Sequence, residues 1–331
     1  MIDSKDALLI ASRSPEAALV RRVLRRRLPE PARILIAVSG GYDSTALLLL
    51  SAAIANRGNE YEVVVGHVDH GLRPESGTEA MHVASLADWI GVRHLVRRLE
   101  VDGSTSGAAL RRHRWDALEE MAMSLRAGAV LTGHHALDQA ETVLLRLARG
   151  TGLAGLAGIP ESRRTRLGVQ VIRPLLEAER STLERLVDAV GWTPTDDPTN
   201  ARRDLARGLV RHEIIPKLER LHPGAATRMA ATAREIAQVQ AASPSQSRTI
   251  WPREVCRSMG EERMATEIRA AVRARLGRTV DGVSRPVWDS AARAAVDDQT
   301  HPRGIEVLPG CRVEIDARDV RLSFPSEEPS A

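Results

Sequence analysis

One six-residue turn, Ser39-Gly40-Gly41-Tyr42-Asp43-Ser44, constrains the fold of this chain more than any other feature. A largely apolar run over residues 33–38 precedes it, and apolar residues fill most of 45–50. This order predicts a buried strand, a tight glycine turn and a helix. A helix N-terminus offers unpaired N–H groups and the positive end of the helix dipole, and glycine allows close approach to the backbone. We therefore predict a phosphate-binding turn, in preference to a turn that serves geometry alone.

Apolar strands and helical patterns alternate along residues 61–175. The expected strands cover 61–70, 94–101, 129–133 and 169–175, and the expected helices cover 78–90, 107–125 and 138–149. This alternation favours an α/β fold in which helices cover both faces of a doubly wound, Rossmann-like parallel sheet. Because ligands of such sheets lie beyond the carboxyl ends of the strands, we expect residues 39–44, 67–73 and 134–141 to converge on one crevice.

Composition and length limit the class of protein. The 331 residues include 43% apolar and 27% charged residues, which is typical of a globular protein of two or three domains. No stretch reaches the length of a membrane span and the first residues lack a basic secretory start, so we expect a cytoplasmic protein without membrane contact. The net charge of +4 favours an anionic partner. Cys256 and Cys311 are too far apart to suggest a metal or redox motif.

Composition also suggests where domains end. An alanine-rich helical stretch covers residues 225–242, and a Ser/Pro/Gln break follows it. We predict a catalytic domain over 1–215, a helical segment over 216–247 and a small α+β domain over 248–331. In the last we expect a helix over 262–276 and strands over 304–307 and 312–315.

Three carboxylates have positions that suit chemistry. Asp43 lies in the phosphate-binding turn, where a carboxylate can hold Mg²⁺ against phosphate oxygens; its alternative role is that of helix N-cap. Asp138 and Glu141 are three residues apart at an expected helix start, so their side chains share a face and can grip a cation. The alternative is that acids favour the first turn of any helix.

The pattern Ser-Gly-Gly-x-Asp-Ser resembles the signature of the PP-loop, or N-type ATP pyrophosphatase, superfamily, whose members cut ATP between the α and β phosphates. Walker and dinucleotide-binding loops have a different spacing. Further motifs resemble the tRNA(Ile)-lysidine synthetase family, densely over about residues 33–220 and loosely beyond. They are residues 67–76, Leu110-Arg111 with Arg114-Trp115, residues 134–142, 149–156, 173–176 and 196–200, and Arg207 with Arg211.

The resemblance implies a ligase that adenylates the C2 oxygen of the wobble cytidine in a tRNA(Ile) with a CAU anticodon. Free L-lysine then displaces AMP to give lysidine. ATP and Mg²⁺ are the implied co-substrate and cofactor, the C-terminal domain is expected to bind tRNA, and a homodimer is possible. The implied ATP-binding residues are Ser39, Gly40, Gly41, Tyr42, Asp43, Ser44, His67 and Asp69.

The lysine amine must lose a proton before it attacks. With an unperturbed pKa near 10.4, its neutral form costs about 4.6 kcal/mol at pH 7. We hypothesise that Asp138 and Glu141 position the ammonium group and that one of them, or His134, accepts the proton. With Asp43, these residues make up the predicted catalytic set. The arginines expected to bind substrate or tRNA phosphates are Arg73, Arg111, Arg114, Arg207 and Arg211.

Three positions depart from the family pattern. Leu137 stands where an aspartate is expected, Gly208 where an asparagine is expected, and Trp115 where tyrosine is usual. Leu137 removes one possible polar contact, and Gly208 puts a side-chain hydrogen bond in doubt. Two alternatives stay open. One is another PP-loop ligase, such as a tRNA thiolase or an amide-forming synthetase. The other, which Leu137 and Gly208 suggest, is a tRNA-binding protein that has lost catalysis.

Overall fold

The computed structural model describes residues 2–58, 60–69, 71, 76–99, 106–195, 206–242, 249–276 and 283–324. The chain forms two compact units. The first comprises Met1–Leu145 and Ala157–Arg234, and the second comprises Arg146–Leu156 and Glu235–Ala331. The three-part division expected from composition stays a prediction. None of the helices in the described part of the chain has the length and apolar character that a bilayer crossing needs.

A six-stranded sheet forms the centre of the first unit, with the strand order β3-β2-β1-β4-β6-β5. Its strands are β1 (Ala32–Ala37), β2 (Tyr61–Asp69), β3 (Arg93–Arg98), β4 (Ala129–Leu131), β5 (Ser162–Arg164) and β6 (Gln170–Ile172). The pairings among β3, β2, β1, β4 and β6 are parallel, whereas β5 is antiparallel to β6. The strand order reverses between β1 and β4, which is where ligands bind in doubly wound sheets.

Helices cover both faces of this sheet, as the alternation of its core residues shows. Ile34 and Ile36 of β1 belong to one buried cluster, and Leu35 between them belongs to another on the opposite face. Period-2 alternation with both faces buried is the pattern of a parallel sheet between two helical layers. The predicted α/β class with a parallel sheet is therefore confirmed.

The first part of the chain contains helices at the predicted positions and others between them. They are α1 (Ser4–Arg13), α2 (Pro15–Arg27), α3 (Tyr42–Arg57), α4 (Ser76–Ile90), α5 (Gly107–Ser124), α6 (Ala136–Ala148), α7 (Leu153–Leu156), α8 (Arg180–Ala189), α9 (Ala206–Leu209), α10 (Ile215–Leu221) and α11 (Ala225–Ala242). A π-helical turn, Val210–Ile214, lies between α9 and α10. The helices predicted over 78–90, 107–125, 138–149 and 225–242 are α4, α5, α6 and α11, and their ends lie within two residues of the prediction. No prediction covers α1, α7, α8, the π-helical turn or the antiparallel strand β5.

The second unit contains a four-stranded antiparallel sheet with the order β7-β10-β9-β8. Its elements are β7 (Ile250–Pro252), α12 (Arg253–Leu276), α13 (Arg285–Val296), β8 (Arg303–Leu308), β9 (Cys311–Ile315) and β10 (Asp319–Ser323). Trp251, Val313 and Val320 are buried against apolar residues of both helices. The two predicted strands and the predicted helix are present, and β7, α13 and β10 were missed. Cys256 and Cys311 are buried and form no disulfide.

A glycine after β4 brings two ligand-facing segments together. A Cβ atom on Gly133 would lie 2.8 Å from the carbonyl oxygen of Asp43 and 2.9 Å from its carbonyl carbon. These are backbone atoms of α3, which cannot move aside as the end of a flexible side chain can. Only glycine therefore allows the end of β4 to pass this close to the first turn of α3.

We predict that Gly133→Ala lowers the free energy of unfolding by about 1–3 kcal/mol, because overpacking displaces the backbone at Asp43. Thermal denaturation of the purified variant measures this loss. Gly107→Ala is the matched control, because a Cβ there meets no atom within 4 Å. Equal melting temperatures for the two variants would contradict the predicted contact.

Candidate functional site

The glycine turn after β1 has the geometry that the sequence predicts. Gly40 has a φ of 94°, in the left-handed region, and a Cβ there would collide with the side chain of Thr195. The carbonyl oxygen of Gly40 accepts the N–H of Thr195 at 3.0 Å. A residue with a side chain is thus disfavoured at this position both by conformation and by space.

Hydrogen bonds within the turn hold its shape. The Ser44 hydroxyl accepts the N–H of Ser39 at 3.1 Å and donates to the carbonyl oxygen of Gly41 at 3.1 Å. Gly41 is the N-cap of α3, whose first N–H groups need partners from outside the helix. The Tyr42 hydroxyl donates to Asp188 at 3.1 Å, so it is the backbone of Tyr42 that is left to face a ligand. A bare helix N-terminus of this kind suits a phosphate group.

Asp43 presents one free carboxylate oxygen at this turn. Because Gly41 is the N-cap of α3 and Asp43 makes no capping hydrogen bond, the N-cap alternative for Asp43 is wrong. Its Oδ2 lies 3.4 Å from Nε2 of His135. Its Oδ1 is buried and has no hydrogen-bond partner among the described residues. An unpartnered carboxylate oxygen beside a phosphate-binding turn is a suitable ligand for Mg²⁺, which commonly takes one or two carboxylates and completes its shell with phosphate and water.

His135 connects this carboxylate to the next helix. Its Nε2 lies 3.4 Å from Asp43 Oδ2 and 3.6 Å from Asp138 Oδ2, and the residue is only 1% exposed. Burial alone would lower the pKa of His135, but its hydrogen bond to Asp43 and the charges of Asp138 and Asp43 raise it overall. His135 is not among the predicted site residues, although it lies within the segment that suggested Asp138.

The predicted pair Asp138 and Glu141 does share one face of α6, and two arginines neutralise it. Arg207 and Arg211 lie 2.9 Å and 3.0 Å from Asp138 Oδ1. The same arginines donate through Nε to the two oxygens of Glu141, which is fully buried. In this structure the two guanidinium groups contact carboxylates, and their predicted binding of phosphate stays a prediction.

Charge compensation keeps Asp138 ionised. Burial would raise its pKa, but electrostatic interactions with His135, His134 and Arg207 lower it overall. Its Oδ2 also accepts the N–H of His135 at 3.1 Å, as an acidic residue in the first turn of a helix often does. Asp138 is therefore a carboxylate held by contacts from several sides.

The unexpected residue Leu137 has a packing role. It packs against the small apolar cluster formed by Ala140 of α6, Val210 and Ile215. Val210 opens the π-helical turn that carries Arg211. Leu137 therefore helps to hold the segment whose arginines neutralise Asp138 and Glu141.

His134 is a neutral imidazole next to the carboxylates. Its Nδ1 lies 2.9 Å from the Thr132 hydroxyl. Burial lowers its pKa to about 4, and the positive charges of Arg173, Arg111 and Arg207 act in the same direction, against Asp138. The group is thus able to accept a proton at pH 7.

The residues at the end of β2 also lie near the crevice. His67 Nδ1 donates to the carbonyl oxygen of Val38 at 2.9 Å, and burial lowers the pKa of this imidazole. Its Nε2 has no hydrogen-bond partner among the described residues. Asp69 accepts the N–H of Gly71 at 2.8 Å, so its carboxylate shapes the turn that follows the strand.

The remaining predicted residues are arginines. Arg111 is exposed and Arg114 half-buried, and they lie on α5 three residues apart. Arg73 lies outside the described residues. The structure thus brings Ser39–Ser44, His67, His134, Asp138, Glu141, Arg207 and Arg211 to the ligand-binding edge of the sheet.

Comparisons with known proteins agree with this geometry. Residues 16–218 match the family model of the PP-loop domain. The tRNA(Ile)-lysidine synthase of Salinispora tropica is 43% identical over 251 residues, which cover 72% of this chain and 74% of that protein. The tRNA(Ile)-lysidine synthase of Thermobifida fusca is 43% identical over 227 residues, 66% of this chain and 68% of that protein.

A solved structure shares the fold. The U34-tRNA thiolase NcsA from Methanococcus maripaludis superposes with a TM-score of 0.57 over 67% of this chain and 78% of that chain. Its sequence identity of 17% shows a common fold and nothing more specific.

We predict that protonation of His134 destabilises the fold in acid. Its pKa is about 4 in the folded chain and 6.5 ordinarily, so the unfolded state binds more protons between these values. The free energy of unfolding should therefore fall as pH drops from 6.5 towards 4, and His134→Asn should lose less stability over that window. Melting temperatures across the window test this, with exposed His113→Asn as the control. A wild-type pH dependence retained by His134→Asn would contradict it.

Proposed function

The chain belongs to the tRNA(Ile)-lysidine synthase family of PP-loop proteins, and we propose that it joins free L-lysine to C2 of the wobble cytidine of a tRNA(Ile) with a CAU anticodon. ATP is the co-substrate. The observation that carries the proposal is the glycine turn, where one carboxylate oxygen of Asp43 has no partner among the described residues. His135 contacts the other oxygen of Asp43 and also Asp138. The matched relatives share sequence over about three quarters of their length.

The reaction needs two successive displacements. In the first, the C2 oxygen of cytidine attacks the α-phosphorus of ATP, and the bond to the β-phosphate breaks to release pyrophosphate. In the second, the ε-nitrogen of lysine attacks C2, the bond from C2 to oxygen breaks, and AMP leaves with that oxygen. A base receives the proton that the nitrogen loses. Adenylation is required because the free carbonyl oxygen is a poor leaving group.

The glycine turn serves the first displacement. The N-cap of α3, Gly41, makes no side-chain capping hydrogen bond, so the first N–H groups of the helix can hold phosphate oxygens, and Gly40 and Gly41 present no side chain to them. Asp43 Oδ1 is the group on this chain that would hold Mg²⁺. The cation, when bound, neutralises charge that develops on the departing pyrophosphate. The fixed hydrogen bonds of Ser44 keep the turn in the required shape.

The polar residues of α6 serve the second displacement in different ways. Glu141 is fully buried, and each of its oxygens accepts a hydrogen bond from an arginine. Its role is therefore to position Arg207 and Arg211. Asp138 retains 13% side-chain exposure and His134 is neutral, so these two are left to attract the lysine ammonium group and to accept its proton.

The loss of catalysis that Leu137 suggested has little support in the structure. Leu137 packs against apolar residues, and Asp43 and Glu141 keep their contacts with His135 and Arg211, which supports a catalytic role for this group of residues. Cytoplasmic location and a homodimer stay predictions.

We expect the protein to transfer labelled lysine to a tRNA(Ile) transcript with a CAU anticodon and to release pyrophosphate only when this RNA is present. Asp43→Ala should lower both rates on the order of 100-fold or more, because it removes the cation ligand. Asp88→Ala, which removes an exposed carboxylate of α4, is the control. Pyrophosphate release without RNA would indicate a small-molecule ligase, and no release with RNA would indicate a binding protein.

We also expect the two acids of α6 to separate the two steps. Asp138→Asn should slow lysine transfer on the order of 100-fold and affect pyrophosphate release much less. Glu141→Gln should lower both rates and the melting temperature, because breaking a buried ion pair costs about 3–5 kcal/mol. Single-turnover rates at several pH values and thermal denaturation measure these effects. Unchanged lysine transfer in both variants would remove the pair from the mechanism.

A further inference from the structure

Many arginines of the first unit are neutralised by acids. On α2, Arg25 lies 3.4 Å from Glu60, and Arg26 and Arg27 both contact Glu161. Arg207 and Arg211 are neutralised in the same way by the acids of α6. Guanidinium groups with such partners are less available to an external anion than unpaired ones are.

Four neighbouring arginines differ from these. Arg111 and Arg114 lie on α5, Arg163 lies on β5, and Arg173 directly follows β6. Within the described residues, no carboxylate lies within ion-pair distance of any of the four guanidinium groups. The guanidinium group of Arg163 lies over the ring of Trp115, the residue that follows Arg114 on α5, and β5 pairs with β6, which Arg173 follows. In agreement with this placement, the charge of Arg111 lowers the pKa of each of the other three groups.

Arg173 is the most constrained of the four. It is only 4% exposed, and its Nη1 donates to the carbonyl oxygen of Pro160 at 2.7 Å. Its Nε is buried and has no hydrogen-bond partner in the part of the chain described. Burial, followed by the charges of Arg163 and Arg111, lowers the pKa of Arg173 to about 10, so the group remains charged at neutral pH. A buried charge without a counter-ion is costly unless a ligand supplies one.

The guanidinium group of Arg163 lies over an aromatic ring. Its guanidinium carbon lies 4.5 Å from the centroid of the Trp115 ring, at a distance typical of a cation–π contact. The acid that acts on it, Glu119, accepts the Thr165 hydroxyl and, at 2.8 Å, the N–H of Leu167 through Oε1. Because Glu119 is engaged by these two donors, the planar donor fork of Arg163 can still donate to a phosphate.

The four groups lie beside the site described above. Arg173 follows Ile172, whose carbonyl oxygen accepts the N–H of Thr132 at 3.1 Å, so Arg173 and His134 follow neighbouring strands. The charges of Arg173 and Arg111 lower the pKa of His134, and that of Arg114 lowers the pKa of His67. His134 follows β4 and His67 is in β2, so the arginines adjoin the edge of the sheet where the glycine turn lies. An anion bound to them would be next to the reacting groups.

We propose that Arg111, Arg114, Arg163 and Arg173 together bind one phosphate group of a substrate, either a phosphodiester of the RNA or the pyrophosphate portion of ATP. Of these four, Arg111 and Arg114 were predicted from the sequence to bind phosphate. Arg163, which lies over Trp115, and buried Arg173 complete the site. That the RNA is a tRNA(Ile) rests on the proposed function, whereas the binding of a phosphate group by these four arginines does not.

The test is equilibrium binding of two probes, inorganic pyrophosphate and a tRNA(Ile) transcript, to the full chain without lysine. Arg163→Gln should weaken one or both about tenfold, as expected for the loss of one charge-assisted contact. Arg164→Gln is the matched control: Arg164 is the next residue of β5, is exposed and donates to the carbonyl oxygen of Gly168. Its affinities should stay near wild type.

The two probes distinguish the sources. Weaker RNA binding with a salt dependence reduced by about one phosphate contact identifies a phosphodiester, and weaker pyrophosphate binding identifies the ATP-derived group. Arg173→Lys, which keeps the charge but loses the planar fork, should weaken the same probe. The proposal is overturned if the wild-type chain binds neither probe, or if Arg163→Gln changes neither affinity more than Arg164→Gln does. If lysine transfer fails while Arg163→Gln still weakens binding, the proposed function fails and the phosphate site stands.

Discussion

The ion pairs between α6 and the segment from α9 to the π-helical turn are the interaction on which the site depends. Glu141 is fully buried, and an isolated carboxylate there would be strongly destabilising. Arg207 and Arg211 neutralise it and at the same time contact Asp138. His135 contacts both Asp138 and Asp43, so it connects these ion pairs to the glycine turn. Parts of three separate chain segments thereby form one electrostatic unit, in which the position of each charge depends on the others.

Local patterns predicted much of the first unit, because strand and helix periodicity depends on nearby residues. The turn at Gly40 and Gly41 was recognisable from its flanking apolar runs, and the structure has the expected strand, turn and helix. The antiparallel strand β5 is only three residues long, too short for a periodic signal. In the second unit, β7 is equally short. β10 lies between β9, the strand just before it in the chain, and the distant strand β7, and local sequence does not reveal the pairing with β7.

The site was predictable where chemistry follows from spacing, and not where it follows from long-range pairing. Asp138 and Glu141 were placed on one face of a helix from their separation of three residues, and they share that face. Nothing in the sequence near Arg207 and Arg211 indicates that their partners are acids some 66–73 residues earlier. His135 was missed because a buried histidine beside a more obvious one gives no separate signal. Arg173 appeared only as part of a motif, since its burial is a property of the folded chain.

The path of the chain between the two units limits how the protein can be divided. Residues Arg146–Leu156 belong to the second unit, although the chain returns to the first unit at Ala157. Within this stretch, Gly152 lies so near Arg269 of α12 that a Cβ there would be 3.2 Å from Nη1. A truncation after Arg234 would therefore remove the residues of the second unit against which Arg146–Leu156 pack. The second unit cannot be deleted by removing the C-terminal residues alone. A shortened enzyme would also need a short linker in place of Arg146–Leu156.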